Sequence, residues 1–285
     1  MQKIWVCGAR GQIGQAVNDV VDKLEFEMLD TDVDDLDVTD TDEVLRFGEM
    51  NRPDIIINCS GMTDISSCEE NPSQAFKVNA LGARNLAIVA AKMQAKMVQL
   101  STDEVFDGKS TEPYTEFDIT NPGTVYGKSK LAGENYVKEF TTKHFIVRST
   151  WVYGKGQNFI NGFLKKVDAG EQLSIASDQF GSPTSANELA RFLLHLVHTS
   201  EYGTYHATNK GVCSRYAFAQ EILKMTGKTA SMQPVPTVMS DFSKVRPAYA
   251  VLDNFIMSMV PIYDFPDWQD SLREYLEERG LYHAE

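Results

Sequence analysis

Short, unbroken runs of apolar and β-branched residues recur through the first half of the chain, at 3–7, 25–29, 54–59, 97–101 and 144–149, and each predicts a strand. Between them, over 12–23, 40–51, 72–92 and 125–142, apolar positions return every three to four residues, which predicts helices. Pro72 behind Asn71 suits a first helical turn, where a missing N–H costs nothing. Strands alternating with crossover helices pair in parallel. The run Ile55-Ile56-Ile57 shows no polar alternation, as expected for a sheet covered on both faces. The predicted class is α/β, with a doubly wound parallel sheet.

The texture changes after Thr150, where strands become sparse and clusters such as Trp151-Val152-Tyr153-Gly154 intervene. Helices are predicted over 158–168, 185–199, 214–226 and 267–279, in a smaller and more irregular region. We expect a boundary near residue 150, dividing the chain into 1–150 and 151–285, with some later segments returning to the first unit. No long polar linker separates the halves, so a shared cleft is expected.

Composition narrows the function. Hydrophobic residues make up 42% and charged residues 24%, values of a globular protein with a substantial core. Lys plus Arg is 27 against 40 Asp plus Glu, a formal charge of -13, so neither nucleic acid nor an anionic membrane is an expected partner. No apolar run approaches the ~20 residues of a membrane span. Met1-Gln2-Lys3-Ile4-Trp5-Val6 runs straight into a strand without signal-peptide architecture, and a cytoplasmic location is expected. Cys7, Cys59, Cys68 and Cys213 lie far apart, which suggests reduced thiols rather than disulfides or a zinc knuckle. His195 and His198 stand three apart with no third ligand of suitable spacing, and no metal site is expected.

Candidate chemistry begins with Gly8-Ala9-Arg10-Gly11-Gln12-Ile13-Gly14, between the first strand and the first helix. Glycines there allow a tight turn and bring helix N-terminal N–H groups close to a pyrophosphate. Such a string alone also serves plain strand–helix packing. Asp30, 22 positions past Gly8 at the end of the second strand, adds a carboxylate suited to an adenosine ribose. The reading is a Rossmann-type dinucleotide-binding unit over 1–150 and a substrate-binding region over 151–285. Asp30 repels a 2′-phosphate whereas Arg10 attracts one, so NADH and NADPH both stay open, with NAD favoured. Asp37 is a candidate for the adenine amino group, and equally for capping the next helix.

Tyr126 and Lys130 stand four apart and share one face of the fourth predicted helix. A proton donor to a carbonyl needs a hydroxyl whose pKa is drawn toward the working pH, and an ammonium one turn away does this by favouring the phenolate. The spacing alone is weak evidence in a chain with 11 tyrosines. Placement strengthens it, because Ser101-Thr102-Asp103 ends a predicted strand 24 residues before Tyr126 and ligands of open parallel sheets sit outside the C-terminal strand ends. Thr102 is the candidate to orient the same carbonyl oxygen, with local turn capping as the alternative.

These residues resemble the extended short-chain dehydrogenase/reductase superfamily. The strings Gly11-Gln12-Ile13-Gly14, Ser101-Thr102-Asp103-Glu104-Val105-Phe106-Asp107-Gly108, Val125-Tyr126-Gly127-Lys128-Ser129-Lys130-Leu131-Ala132-Gly133-Glu134, Ser149-Thr150-Trp151-Val152-Tyr153-Gly154 and Asp178-Gln179-Phe180-Gly181-Ser182-Pro183-Thr184 narrow the resemblance to the dTDP-4-dehydrorhamnose reductase family. It covers nearly the whole chain, and Arg246-Pro247 also fits. The resemblance implies NADH- or NADPH-dependent reduction of the 4-keto group of dTDP-4-dehydro-L-rhamnose to dTDP-L-rhamnose, for surface polysaccharide. It implies Thr102 on the substrate carbonyl, Tyr126 as proton donor and Lys130 on the nicotinamide ribose. Gly11, Gln12, Ile13, Asp30, Asp37, Val38, Gly61, Met62 and Thr63 are implied along the cofactor, beside Gly8, Arg10 and Gly14 of the loop. Asp103 and Trp151 are implied on the sugar nucleotide.

By their own chemistry, Trp151 offers a broad apolar face to a deoxysugar or base, or packs in the core, and Arg246 suits a diphosphate clamp or a surface ion pair. Two departures stand near the expected site: Glu104 where the family usually has an aromatic residue, and the run Ser60-Gly61-Met62-Thr63. A carboxylate at 104 either shapes sugar selection or faces solvent. Two other readings stay open: a reductase or epimerase of a different nucleotide sugar, and a non-catalytic nucleotide-binding subunit like the regulatory subunit of methionine adenosyltransferase, which resembles the same family. A homodimer is also kept open.

Overall fold

The computed structural model describes residues 1–239 and 247–283. The first half runs β1 (Gln2–Cys7), α1 (Gln12–Val20), β2 (Phe26–Thr31), α2 (Thr41–Asn51), β3 (Ile55–Asn58), α3 (Ile65–Glu70), α4 (Pro72–Phe76), α5 (Ala83–Met93), β4 (Lys96–Thr102), α6 (Val125–Phe140) and β5 (His144–Ser149). The second runs β6 (Val152–Tyr153), α7 (Phe159–Asp168), β7 (Leu173–Ala176), β8 (Phe180–Gly181), β9 (Thr184–Ser185), α8 (Ala186–His198), β10 (Gly203–His206), β11 (Cys213–Ser214), α9 (Arg215–Thr226), β12 (Met232–Val235), β13 (Tyr249–Ala250), α10 (Phe255–Met259) and α11 (Trp268–Glu278).

Six strands form one parallel sheet in the order β10-β5-β4-β3-β1-β2. The chain steps from β1 outward to β2 and then back past β1 to β3, which creates the switch point of a Rossmann-type sheet. Alternate side chains feed two cores. Ile4, Val6, Ile55 and Ile57 pack with α1 and α8, whereas Trp5, Cys7 and Ile56 pack with α2 and α5. Full burial of all three β3 isoleucines accounts for the unbroken apolar run.

Two differences from the sequence pattern bear on the site. The strand expected at 25–29 is Phe26–Thr31, so Asp30 lies inside β2, in register with Val6. The helix expected over 72–92 is α4, a π-helical segment Lys77–Gly82, and α5. Asn79 sits in that wider turn with its amide engaged across the fold: Oδ1 accepts from Met62 N–H at 2.8 Å, while Nδ2 donates to Ser129 Oγ at 2.9 Å.

After residue 150 the chain builds a second core, from Tyr153, Ile160, Phe163, Leu173, Phe218, Ile222, Trp268 and Leu272. It also returns to the sheet: α8 supplies Leu189, Phe192, Leu193 and Leu196 to the first core, and β10 pairs with β5. We therefore propose a division by lobe, with the α8–β10 segment belonging to the sheet lobe. Among the described residues, no helix is long and apolar enough to cross a membrane.

Candidate active site

The glycine loop is built by close backbone contact. Gly8 adopts φ of +75°, and a β-carbon there would lie 2.8 Å from Ser60 N. At Gly14 a β-carbon would lie 2.4 Å from the Gly8 carbonyl oxygen, so α1 starts tight against the ends of β1 and β3. Gly11 caps α1 without a side-chain acceptor, and Gly11, Gln12 and Ile13 line the cleft. This arrangement fits a pyrophosphate.

Aspartates surround Arg10. Its backbone N–H donates to Asp32 at 2.9 Å, and its guanidinium lies 3.2 Å from both Asp34 and Asp35. Asp30 is exposed nearby in the strand. Asp37 accepts from Thr39 N–H at 2.9 Å in a local turn, whereas the cap of α2 is Asp40, accepting from Glu43 N–H. Val38 is buried, with its carbonyl accepting from Asn85 at 3.0 Å.

The cleft, about 530 Å³, opens at the C-terminal ends of the strands. It brings the glycine loop together with Gly61, Thr63, Thr102, Asp103, Tyr126, Lys130 and Trp151. Thr102 Oγ1 donates to Asp103 Oδ1 at 3.1 Å and accepts from Glu104 N–H at 3.2 Å. Tyr126 is half-buried and Lys130 is buried. Burial pulls the Lys130 ammonium down to about 8, against the opposing influence of Glu134 and Cys59. The same burial pushes the Cys59 thiol up to about 12. Met62 is not among the cleft-lining residues; it anchors the 60–63 loop to Asn79, and through Asn79 to Ser129 on α6.

Glu104 does not face solvent. It is 2% exposed, and its Oε2 accepts from Thr124 Oγ1 at 3.0 Å. Thr124 Oγ1 in turn accepts from Gly127 N–H at 3.0 Å and so caps α6, the helix of Tyr126 and Lys130. One turn beyond Lys130, buried Glu134 binds Arg148 through both carboxylate oxygens, at 2.9 and 2.7 Å, and accepts from Ser101 Oγ at 2.6 Å.

Trp151 takes a left-handed backbone conformation, φ of +48°. The Arg215 guanidinium carbon stands 3.5 Å from the indole centroid, covering the face that sequence reasoning offered to a sugar or base. Arg246 lies outside the described residues.

Sequence reasoning did not single out Asn79, Glu134, Arg148, Gln179 or Arg215. Two left a signal: an amide inside the apolar helix run at 78–81 and a guanidinium at the end of the apolar strand run at 145–148. Among the described residues the cysteines are free, and no group of three His, Cys, Asp or Glu is placed to hold a metal ion.

A family model described as RmlD substrate binding domain matches residues 1–280. A spore coat polysaccharide biosynthesis protein of Bacillus subtilis is 35% identical over 98% of this chain and 99% of its own. The crystal structure of a dTDP-4-dehydrorhamnose reductase from Clostridium acetobutylicum is 40% identical and superposes with a TM-score of 0.95, covering 98% of this chain and 100% of that one. The Bacillus anthracis dTDP-4-dehydrorhamnose reductase, solved in complex with NADP, is 35% identical with the same TM-score and the same coverage. With its strand order, glycine loop and Thr102, Tyr126 and Lys130 gathered at one cleft, the chain belongs to the dTDP-4-dehydrorhamnose reductase family.

Proposed function

We propose that this protein reduces the 4-keto group of dTDP-4-dehydro-L-rhamnose to the hydroxyl of dTDP-L-rhamnose, using a nicotinamide cofactor, in the cytoplasm. The observation that carries the reading is the meeting of Thr102, Tyr126 and the buried Lys130 at the cleft beside the glycine loop. The two solved reductases that match over the full chain support the substrate.

When bound, the nicotinamide supplies a hydride to C4 of the sugar and is oxidised. Thr102 holds the carbonyl oxygen by turning its hydroxyl from Asp103 to the substrate. Tyr126 gives its phenolic proton to that oxygen, so the carbonyl gains one hydride and one proton. Lys130 holds the nicotinamide ribose, and its ammonium stabilises the phenolate left on Tyr126. Exclusion of water around Lys130 strengthens this attraction. First-turn N–H groups at Gly11, Gln12 and Ile13 take the pyrophosphate, Asp30 takes the adenosine ribose, and Asp37 and Val38 line the adenine.

NADH is the proposed preferred donor. Asp34 and Asp35 already counter the Arg10 charge, which leaves the loop acidic toward a 2′-phosphate. The test is loss of NADH, and separately NADPH, absorbance with enzymatically generated dTDP-4-dehydro-L-rhamnose. Oxidation faster with NADH and abolished by Tyr126→Phe is expected; unchanged turnover in that variant would remove the mechanism.

A further inference from the structure

We propose that Glu134 is a positioning residue for the reduction: its carboxylate, gripped by Arg148, holds Ser101 and so sets Thr102 on β4 against Tyr126 and Lys130 on α6. The inference rests on the reading of the cleft as a reductase site and adds to it a residue that is not among those lining the cleft.

The groups that must meet one carbonyl oxygen come from two elements, with Thr102 at the end of β4 and Tyr126 and Lys130 at the start of α6. The separation of a strand and a helix is set by the contacts between them. Glu134 stands one turn beyond Lys130 and is fully buried. Its Oε1 accepts from Ser101 Oγ at 2.6 Å, and Ser101 is the residue before Thr102. The carboxylate is itself fixed, because Arg148 Nε donates to Oε1 at 2.9 Å and Nη2 to Oε2 at 2.7 Å, a fork that sets its plane. Arg148 lies beside Ser101 in the β4–β5 pairing, so one carboxylate ties β4, β5 and α6 together. Lys138 adds a longer contact, 3.8 Å from Oε2.

Arg148 is held in its turn. Its guanidinium carbon stands 5.3 Å from the Phe106 ring centroid. His206 Nδ1 lies 2.9 and 3.1 Å from the carbonyl oxygens of Tyr114 and Asp253, which places the ring proton there and leaves Nε2 as an acceptor facing Arg148 Nη1 at 3.5 Å. A buried ion pair adds little net stability over an apolar pair of the same volume. What this one adds is direction, at the point where the two halves of the site join.

The test is steady-state reduction by single variants and their double-mutant cycle. Glu134→Asp keeps a charge for Arg148 and draws the carboxylate back by one methylene, whereas Ser101→Ala leaves the ion pair whole and removes the hydroxyl it holds. Each is expected to lower kcat about tenfold or more, with KM and NADH affinity within about twofold. Each should also raise the isotope effect with NADH deuterated at the transferred position, which a merely structural role would not move. The double variant should lose no more than the poorer single one, since both break the same contact. Ser101→Thr, which keeps the hydroxyl, should restore most of the loss. Unchanged kcat in both single variants, losses that multiply in the double variant, or a rise in KM with kcat intact overturns the proposal. A parent chain that binds NADH yet reduces no 4-keto sugar removes the reductase reading and the positioning role with it; a parent that turns over, matched by its variants, removes the positioning role alone.

Discussion

Lys130→Met is expected to stabilise the protein while disabling it. The folded state lowers the Lys130 pKa from 10.5 to about 8, chiefly by burial. At ~1.36 kcal/mol per pH unit, that displacement corresponds to about 3 kcal/mol against the folded state at neutral pH. The folded pKa lies below the unfolded one, so the penalty is fully present below pH ~8. It shrinks as pH rises between the two values and is gone above the unfolded value. Methionine fills a similar volume without the charge, and Glu134 retains Arg148 and Ser101 as partners, so the variant strands no carboxylate. Urea unfolding of the cofactor-free protein at pH 7 should therefore give the variant an extra 2–3 kcal/mol or so, a gap that closes toward pH 10. Reduction should fall by at least about 10²-fold. A variant less stable than the parent at pH 7, or a gap that ignores pH, would refute the reasoning.

Other expectations follow from the same contacts. Tyr126→Phe should lower kcat/KM by about 10²–10⁴ while NADH affinity, measured by fluorescence titration, stays within about twofold. Glu134→Gln should destabilise by about 3–5 kcal/mol in urea unfolding. It removes the countercharge of Arg148, a buried guanidinium whose other neighbour, His206, is held near 3 by burial and remains neutral. Glu104→Ala should lower kcat more than it raises KM, because it frees the Thr124 cap of α6 rather than a substrate contact, and Glu104→Gln should restore most of the loss; a pure KM effect in steady-state kinetics would instead make Glu104 a sugar-binding residue.

What the sequence displayed was chemistry of short range. Strand runs, the glycine turn, and a tyrosine and lysine one turn apart are all local patterns, and the sheet and the centre of the cleft were legible from them. Contacts between distant segments were not. β10 reads as a weak four-residue run, and its pairing with β5, together with the packing of α8 on the first core, shows that the chain returns to the sheet after residue 150. Arg215 carries no local mark at all, since its position depends on Trp151, 64 residues earlier, standing in a left-handed conformation against Gly181. Glu104 does line the cleft, but its link to α6 was hidden because its partner, Thr124, lies 20 residues away.

The helix that carries the proposed proton donor shows why such contacts matter. Of the residues α6 buries, Gly127, Ser129, Lys130, Gly133, Glu134 and Val137, only Val137 is a sizeable apolar side chain. Hydrophobic burial therefore gives this helix little of its position. Two glycines instead bring it against backbone: β-carbons at Gly127 and Gly133 would lie 2.0 Å from the Glu104 carbonyl oxygen and 2.4 Å from that of Asn79. Polar anchors at successive turns, Glu104 to Thr124, Asn79 to Ser129, and Arg148 to Glu134, then fix its rotation and height. Apolar contacts tolerate sliding, whereas hydrogen bonds to buried groups are lost over a few tenths of an ångström. A proton donor must stand within hydrogen-bond reach of one carbonyl oxygen. Holding α6 by directional contacts secures that register for Tyr126, and it leaves room beside the helix for a buried ammonium that an apolar interface would exclude.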